Sequence, residues 1–141
     1  MALNRSRIGR VTSLDLSGSD ALERIDQLPA WSNVRRLNLS RCVGLTSLSG
    51  ISERLPSLKE LYLDECVGVT DLTPLAETEL EVLTLRDCST NRDDDGKGLT
   101  DLSGLENLTT LRRIDLSGCA ELNERGDLRP VLGLPLTAID L

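Results

Sequence analysis

The chain has 141 residues and a formal net charge of −7, with no histidine, no phenylalanine, one tyrosine and one tryptophan. This length suits one domain of ordinary size and not two. The acidity argues against nucleic acid or an anionic membrane surface as the main partner. Without histidine, serine and cysteine nucleophiles lack their usual acid–base partner, so we expect no enzyme activity, and the scarcity of aromatic residues argues against a cofactor pocket.

Residues 1–10 are polar and basic, and they contain no apolar segment typical of a secretory signal. No apolar run approaches the roughly 20 residues that a membrane-spanning helix needs. We therefore expect a cytoplasmic, reducing compartment. We interpret residues 1–10 as an N-terminal tail or a minimal cap, unless the chain is a piece of something longer.

Residues 11–141 consist of one unit that recurs with edits. The unit carries apolar residues at its positions 1, 4 and 6, and its copies start at residues 11, 34, 58, 80, 111 and 136. Position 9 places all four cysteines of the chain in one column, after a serine in the first unit. This column contains Ser19, Cys42, Cys66, Cys88 and Cys119.

The periodicity changes within each unit, as the third copy shows. Residues 61–63 alternate with a period of two, which is typical of a short half-buried strand. Val69, Leu72 and Leu75 then recur every three residues, which indicates an irregular or 3₁₀ return arm. A strand followed by a return arm, repeated along the chain, predicts an α/β solenoid with about six short parallel strands on its concave face.

The first and last units depart from this pattern in small ways. In the first return arm, residues 20–28, we predict a short helix capped by Asp20. Trp31 occupies an apolar column, which favours core packing over ligand binding. The sixth strand, residues 136–141, has no strand after it, so it would offer unpaired backbone groups to another chain.

The fourth unit contains an insert, residues 89–98. Cys88 and Leu99 are 11 residues apart where Cys66 and Val69 are 3 apart, so 11 − 3 = 8 residues are added, and they are drawn from these ten. The order of Asn91, Asp93 and Asp95 imitates the start of a calcium loop, which makes these residues a weak candidate metal site. The twelfth loop position is Leu102 instead of a bidentate glutamate, so we favour a solvated loop and expect no metal.

The cysteine column is expected to form an inward ladder, because parallel strands lie ~4.8 Å apart. Side chains that point in parallel are poorly aimed for a disulfide, and four sulfurs in a line cannot surround a zinc ion. We predict small buried residues whose S–H groups contact backbone carbonyls.

The motif L-x-x-L-x-L-x-x-C followed by V/L-T-D-L-x-x-L resembles the leucine-rich-repeat family over nearly the whole chain. Residues 70–75 and 100–105 resemble the short repeats of bacterial internalins and phosphatase-regulatory proteins. Residues 116–119 resemble trypanosomatid and plant disease-resistance repeats. Cysteine replaces the more usual asparagine at position 9. The resemblance implies a right-handed solenoid that binds partners on its concave face.

The inward leucines place positions 3, 5 and 7 on that face. We hypothesise a non-enzymatic protein-interaction module or scaffold, binding a protein or peptide around Tyr62, the only tyrosine. The alternative is a solvated face held together by cross-strand ion pairs. The predicted binding residues are Arg36, Glu60, Tyr62, Asp64, Arg86, Arg113 and Asp115.

Two other functions stay open at this point. A structural or assembly subunit would self-associate into a homo-oligomer through the terminal strand. The resemblance also permits the recognition domain of a larger receptor or ligase.

Overall fold

A computed structural model describes residues 9–88 and 98–141, and for residues 123–125 it describes the backbone only. These residues contain one six-stranded, all-parallel sheet in the order of the chain. The prediction of an α/β fold with about six short parallel strands is confirmed. The strands are β1 (Ser13–Asp15), β2 (Arg36–Asn38), β3 (Glu60–Tyr62), β4 (Val82–Thr84), β5 (Arg113–Asp115) and β6 (Ala138–Asp140).

Each strand pairs with the next at the same position of the repeat unit. Leu37 lies opposite Leu61, and Leu61 lies opposite Leu83. The backbone ladder continues past the strand ends, since the N–H of Leu39 donates to the carbonyl oxygen of Tyr62 at 2.9 Å. A column in the aligned units is therefore a row of neighbours in space.

Within residues 9–88 and 98–141, the return arms carry short helices of two kinds. Two are 3₁₀ helices, at Ile25–Gln27 and Thr73–Glu77. Three are α-helices, namely α1 (Ile51–Arg54), α2 (Ala120–Arg125) and α3 (Arg129–Leu132).

The second 3₁₀ helix shows how the sequence starts an arm. The N–H of Thr73 donates to Oδ1 of Asp71 at 2.9 Å. Pro74 suits the first turn, where its missing N–H leaves no bond unmade. The three-residue spacing of Val69, Leu72 and Leu75 then turns all three side chains into the core, where they are buried.

The predicted helix in the first arm is shorter than expected, and its predicted cap is wrong. Asp20 does not begin a helix, because the 3₁₀ helix starts after Arg24. Arg24 is extended and forms a parallel bridge with Ser47 of the next arm. This pairing keeps the chain extended before Ile25. Trp31 is half-buried and packs against the core, as predicted.

The core lies between the sheet and the return arms. Among the described residues it consists of Leu, Ile, Val and Cys, and it contains no buried charged residue. Burial of aliphatic side chains contributes roughly 25 cal/mol per Å². The apolar columns of the sequence therefore supply most of the driving force for stacking one unit on the next.

Position 8 of the first five units adopts a left-handed backbone conformation. Its φ is +71° at Gly18, +61° at Arg41, +59° at Glu65, +53° at Asp87 and +75° at Gly118. This turn follows the strand by three residues and directs position 9 into the core. For a residue with a side chain, this left-handed conformation costs about 1–2 kcal/mol of conformational free energy, and for glycine it does not.

The insert of the fourth unit leaves the core pattern intact. The N–H of Leu99 donates to the carbonyl oxygen of Cys88 at 3.1 Å, as the N–H of Val69 does to that of Cys66 at 3.1 Å. The chain therefore re-enters the unit at the point where it left. Residues 89–97 lie outside the described part of the chain.

Glu65→Gly is expected to raise the free energy of unfolding by roughly 0.5–1 kcal/mol. Glycine removes the free-energy cost of the left-handed conformation at this position. That gain exceeds the free-energy loss that results because glycine makes the unfolded chain more flexible. Urea unfolding of wild type and variant measures the difference.

Glu77→Gly is the matched control, because Glu77 is an exposed glutamate in a 3₁₀ helix. The same substitution there should lower the free energy of unfolding by about 0.5–1 kcal/mol. Equal effects at both positions would contradict a special role for position 8.

Candidate functional site

The outward side chains at positions 3, 5 and 7 of the units form one surface, which we call the polar face. Inward burial of position 4 on β2, β3 and β4 orients them, since neighbours along a strand point to opposite sides. All seven residues that the sequence analysis selected lie on this face. They form two bonded groups of three, and Arg113 stands apart from both.

The first group links Arg36, Glu60 and Tyr62. Nε of Arg36 lies 2.6 Å from Oε2 of Glu60, directly across from it in the sheet. The phenol of Tyr62 donates to the same oxygen at 2.8 Å. The hydrogen bond from Arg36 lowers the pKa of Glu60, while burial and the bond to Glu60 raise the pKa of Tyr62. The tyrosine ring is thus neutral and held in place.

The second group links Asp64, Arg86 and Asp115. Nε of Arg86 lies 3.1 Å from Oδ2 of Asp64 and 3.8 Å from Oδ2 of Asp115. The hydrogen bond to Asp64 and its charge raise the pKa of Arg86. Asp115 also accepts the N–H of Ser117 at 3.0 Å and its hydroxyl at 2.6 Å. The arginine offsets one of the two carboxylate charges, so the group keeps a net charge of −1.

A shallow depression of about 120 Å³ opens over β4, and we call it the β4 depression. Its floor is β4, whose outward side chains, Val82 and Thr84, are short. Tyr62 forms one wall, and Arg113 and Asp115 form the other. This volume is well below the roughly 300–1,000 Å³ of sites for drug-sized ligands. The depression is large enough for one side chain of another molecule.

Thr84 gives the depression an unusual floor. Its Oγ1 is buried and has no hydrogen-bond partner among the described residues. Buried side-chain oxygens nearly always have such a partner. Val82, Thr84 and Asp140 also line the depression. The sequence analysis did not select them, and Val82 and Thr84 are neither charged nor aromatic. The sequence did contain a signal for this depression: β4 has two short outward side chains, and the outward side chains on the neighbouring strands are longer.

The cysteine column forms the predicted inward ladder, and each S–H donates to a backbone carbonyl of the preceding unit. The four thiols are free and buried. The four sulfur–oxygen distances are 3.2 Å for Cys42 to Leu16, 3.0 Å for Cys66 to Leu39, 3.1 Å for Cys88 to Leu63 and 2.9 Å for Cys119 to Leu85.

Burial suppresses the chemistry of these thiols. It raises the pKa of Cys66 to about 11, and it also raises the pKa of Cys88 and of Cys119. Only the thiolate is a nucleophile or a metal ligand, so these groups are poor at both. The cysteines of the ladder therefore act as buried packing residues of the core.

Within residues 9–88 and 98–141, no three Cys, Asp or Glu side chains are grouped so that they could hold a metal ion. The weak candidate metal residues Asn91, Asp93 and Asp95 lie outside the described residues. In the part of the chain that the structure describes, no helix has the length and apolar character needed to cross a bilayer.

Fold and site together define an α/β protein with one parallel sheet and a polar, partly ion-paired outer face. No protein-family model matches the chain, and no curated protein matches it.

Native protein at pH 8 is expected to react very slowly with a thiol reagent, because all four thiols are buried and burial raises the pKa of at least Cys66, Cys88 and Cys119. Ellman's reagent added with and without urea checks this. Four thiols should appear once urea unfolds the chain. Rapid reaction of any thiol under native conditions would contradict the ladder.

Acid is expected to weaken the fold partly through Glu60. The folded-state pKa of Glu60 lies below its ordinary value of 4.5, so its contribution is present above that pH and is lost as the pH falls through the folded pKa. Glu60→Gln should therefore lose less stability than wild type between about pH 5 and pH 3. Urea midpoints across that range measure the difference.

Glu77→Gln is the control for this series, because Glu77 has no ion-pair partner within 4.0 Å among the described residues. Its pH profile should follow that of wild type. An unchanged profile for Glu60→Gln as well would show that the Arg36–Glu60 pair contributes nothing measurable.

Proposed function

We propose that the chain is a right-handed leucine-rich-repeat solenoid and a non-enzymatic protein-interaction module, binding a protein or an extended peptide on the polar face. In this proposal the sheet is the concave side. The recurrence of L-x-x-L-x-L-x-x-C supports it, together with strand pairing that keeps equal positions of successive units side by side.

The observation that carries the proposal is the fixed position of Tyr62 beside the β4 depression. Its hydroxyl is bound to Glu60, which Arg36 holds in turn. A side chain that is already ordered loses little entropy when a partner binds. Tyrosine and arginine also contribute disproportionately to binding energy at protein interfaces. The ring of Tyr62 and the guanidinium of Arg113 face a recess that one partner side chain can fill.

The absence of histidine from the sequence and the burial of all four thiols support a binding role over a catalytic one. The ion pairs of the polar face do not argue against binding, because they neutralise charges that a partner would otherwise have to desolvate.

A variant with Tyr62→Ala, Arg36→Glu and Arg113→Glu is expected to bind at least about ten-fold more weakly to peptides selected against the wild type from a random library. Isothermal calorimetry with purified protein measures the loss, and urea unfolding shows whether the variant is folded.

The matched control reverses two charges away from the polar face, with Arg24→Glu and Arg129→Glu. Both arginines are exposed in return arms and pair with nearby aspartates. This variant should bind as the wild type does. Equal binding by all three proteins would place the binding surface elsewhere.

Self-association through β6 is a second candidate function. Ile139 is 39% exposed, whereas Leu37, Leu61 and Leu83 of the same row are 0% exposed, and Leu132 is 68% exposed. Another strand of this repeat would bury such side chains. A mass that rises with concentration in sedimentation equilibrium would support it, and a constant monomer mass would reject it.

A further inference from the structure

The three arginines of the polar face differ in whether a carboxylate pairs with them. Arg36 and Arg86 lie within 3.1 Å of a carboxylate oxygen. Arg113 has no carboxylate within 4.0 Å among the described residues, and no hydrogen bond of its guanidinium to any of them is seen. An exposed guanidinium beside a recess is a binding group for a planar oxyanion, because its donors match a carboxylate in pairs.

The neighbouring Arg112 has a different environment. One of its terminal nitrogens, Nη1, donates to the carbonyl oxygens of Thr109 at 2.7 Å and Leu111 at 3.1 Å. It does not line the β4 depression, whereas Arg113 does. Two adjacent residues of equal charge therefore differ in their access to the recess.

We propose that the β4 depression receives a single aspartate or glutamate side chain of a bound peptide, with Arg113 binding its carboxylate. This inference rests on the proposed function and names the chemistry that its partner supplies. The ring of Tyr62 and the methyl groups of Val82 contact the methylene stem. The volume of about 120 Å³ accommodates one such side chain.

Nearby charges restrict the partner further. Asp115 is occupied by Ser117 and Arg86, but Asp140 lines the same depression and is exposed. The chain as a whole carries −7, so a run of acidic residues would be repelled. The arrangement therefore selects one carboxylate flanked by neutral residues.

The test uses the isotope-labelled 141-residue chain and three blocked tripeptides, acetyl-Ser-X-Ser-amide with X as Glu, Gln or Lys. The Glu peptide should shift the NMR signals of the Arg113 side-chain N–H and of the β4 and β5 amides in a saturable way. The Gln peptide should bind about ten-fold more weakly, since it lacks the charge that strengthens the hydrogen bonds. The Lys peptide should produce no such shifts.

Arg113→Gln and Arg112→Gln form the matched pair of variants. Arg113→Gln should weaken binding of the Glu peptide about ten-fold, and Arg112→Gln should leave it unchanged. Val82→Phe, which fills the floor of the recess, should also abolish binding while Arg113 remains. Each variant is first shown to be folded by its amide spectrum.

Three results would overturn the inference. They are equal binding of the Glu and Gln peptides, equal loss in both arginine variants, or tighter binding of the Lys peptide with shifts at Asp115 and Asp140. A library-selected peptide that depends on Tyr62 and Arg36 but not on Arg113 would reject the carboxylate site and leave the proposed interaction module standing. Binding that needs none of these residues would reject both.

Discussion

Everything in this structure depends on the backbone register between successive units. The carbonyl oxygen of Arg35 accepts the N–H groups of both Lys59 and Glu60, at 2.8 and 2.9 Å, and that of Lys59 accepts those of Glu81 and Val82 in the same way. Because this bonding sets equal positions of successive units side by side, each side chain meets its counterpart from the next unit. A slip by one residue would turn the buried row outward and the polar row inward.

The same register explains why strain and weak bonds recur at fixed places. A left-handed residue follows each of the first five strands three residues after the strand end, although only two of the five are glycine. The turn lets position 9 face inward, where a cysteine fills a small space and its S–H meets a strand carbonyl. Such a bond is weak, and the fit of the side chain matters more than its chemistry. Local strain at position 8 is thus tolerated because burial along the unit outweighs it.

The outward side chains of the polar face differ from one unit to the next, although the backbone repeats regularly. Arg36 on β2 pairs with Glu60 on β3 across the sheet, while β4 carries valine and threonine and Arg113 on β5 forms no ion pair with a described residue. The short side chains of β4 leave Tyr62 and Arg113 facing each other across a gap that neither neighbour fills. Regular units would produce an even face, so any selectivity must come from such differences between units.

The periodicity of the sequence predicted the six strands, the buried rows, the inward cysteines and the residues of the polar face. Each follows from the spacing of apolar residues, because the backbone geometry of a strand or a turn decides to which side each side chain points. It did not determine the start of the first helix, because pairing of Arg24 with Ser47 in another arm overrides the capping preference of Asp20. The tertiary structure was needed to show which arginine of the polar face has no ion-pair partner among the described residues and where the recess opens. These depend on side-chain contacts between units more than 20 residues apart, such as Arg36 with Glu60, which no local pattern encodes.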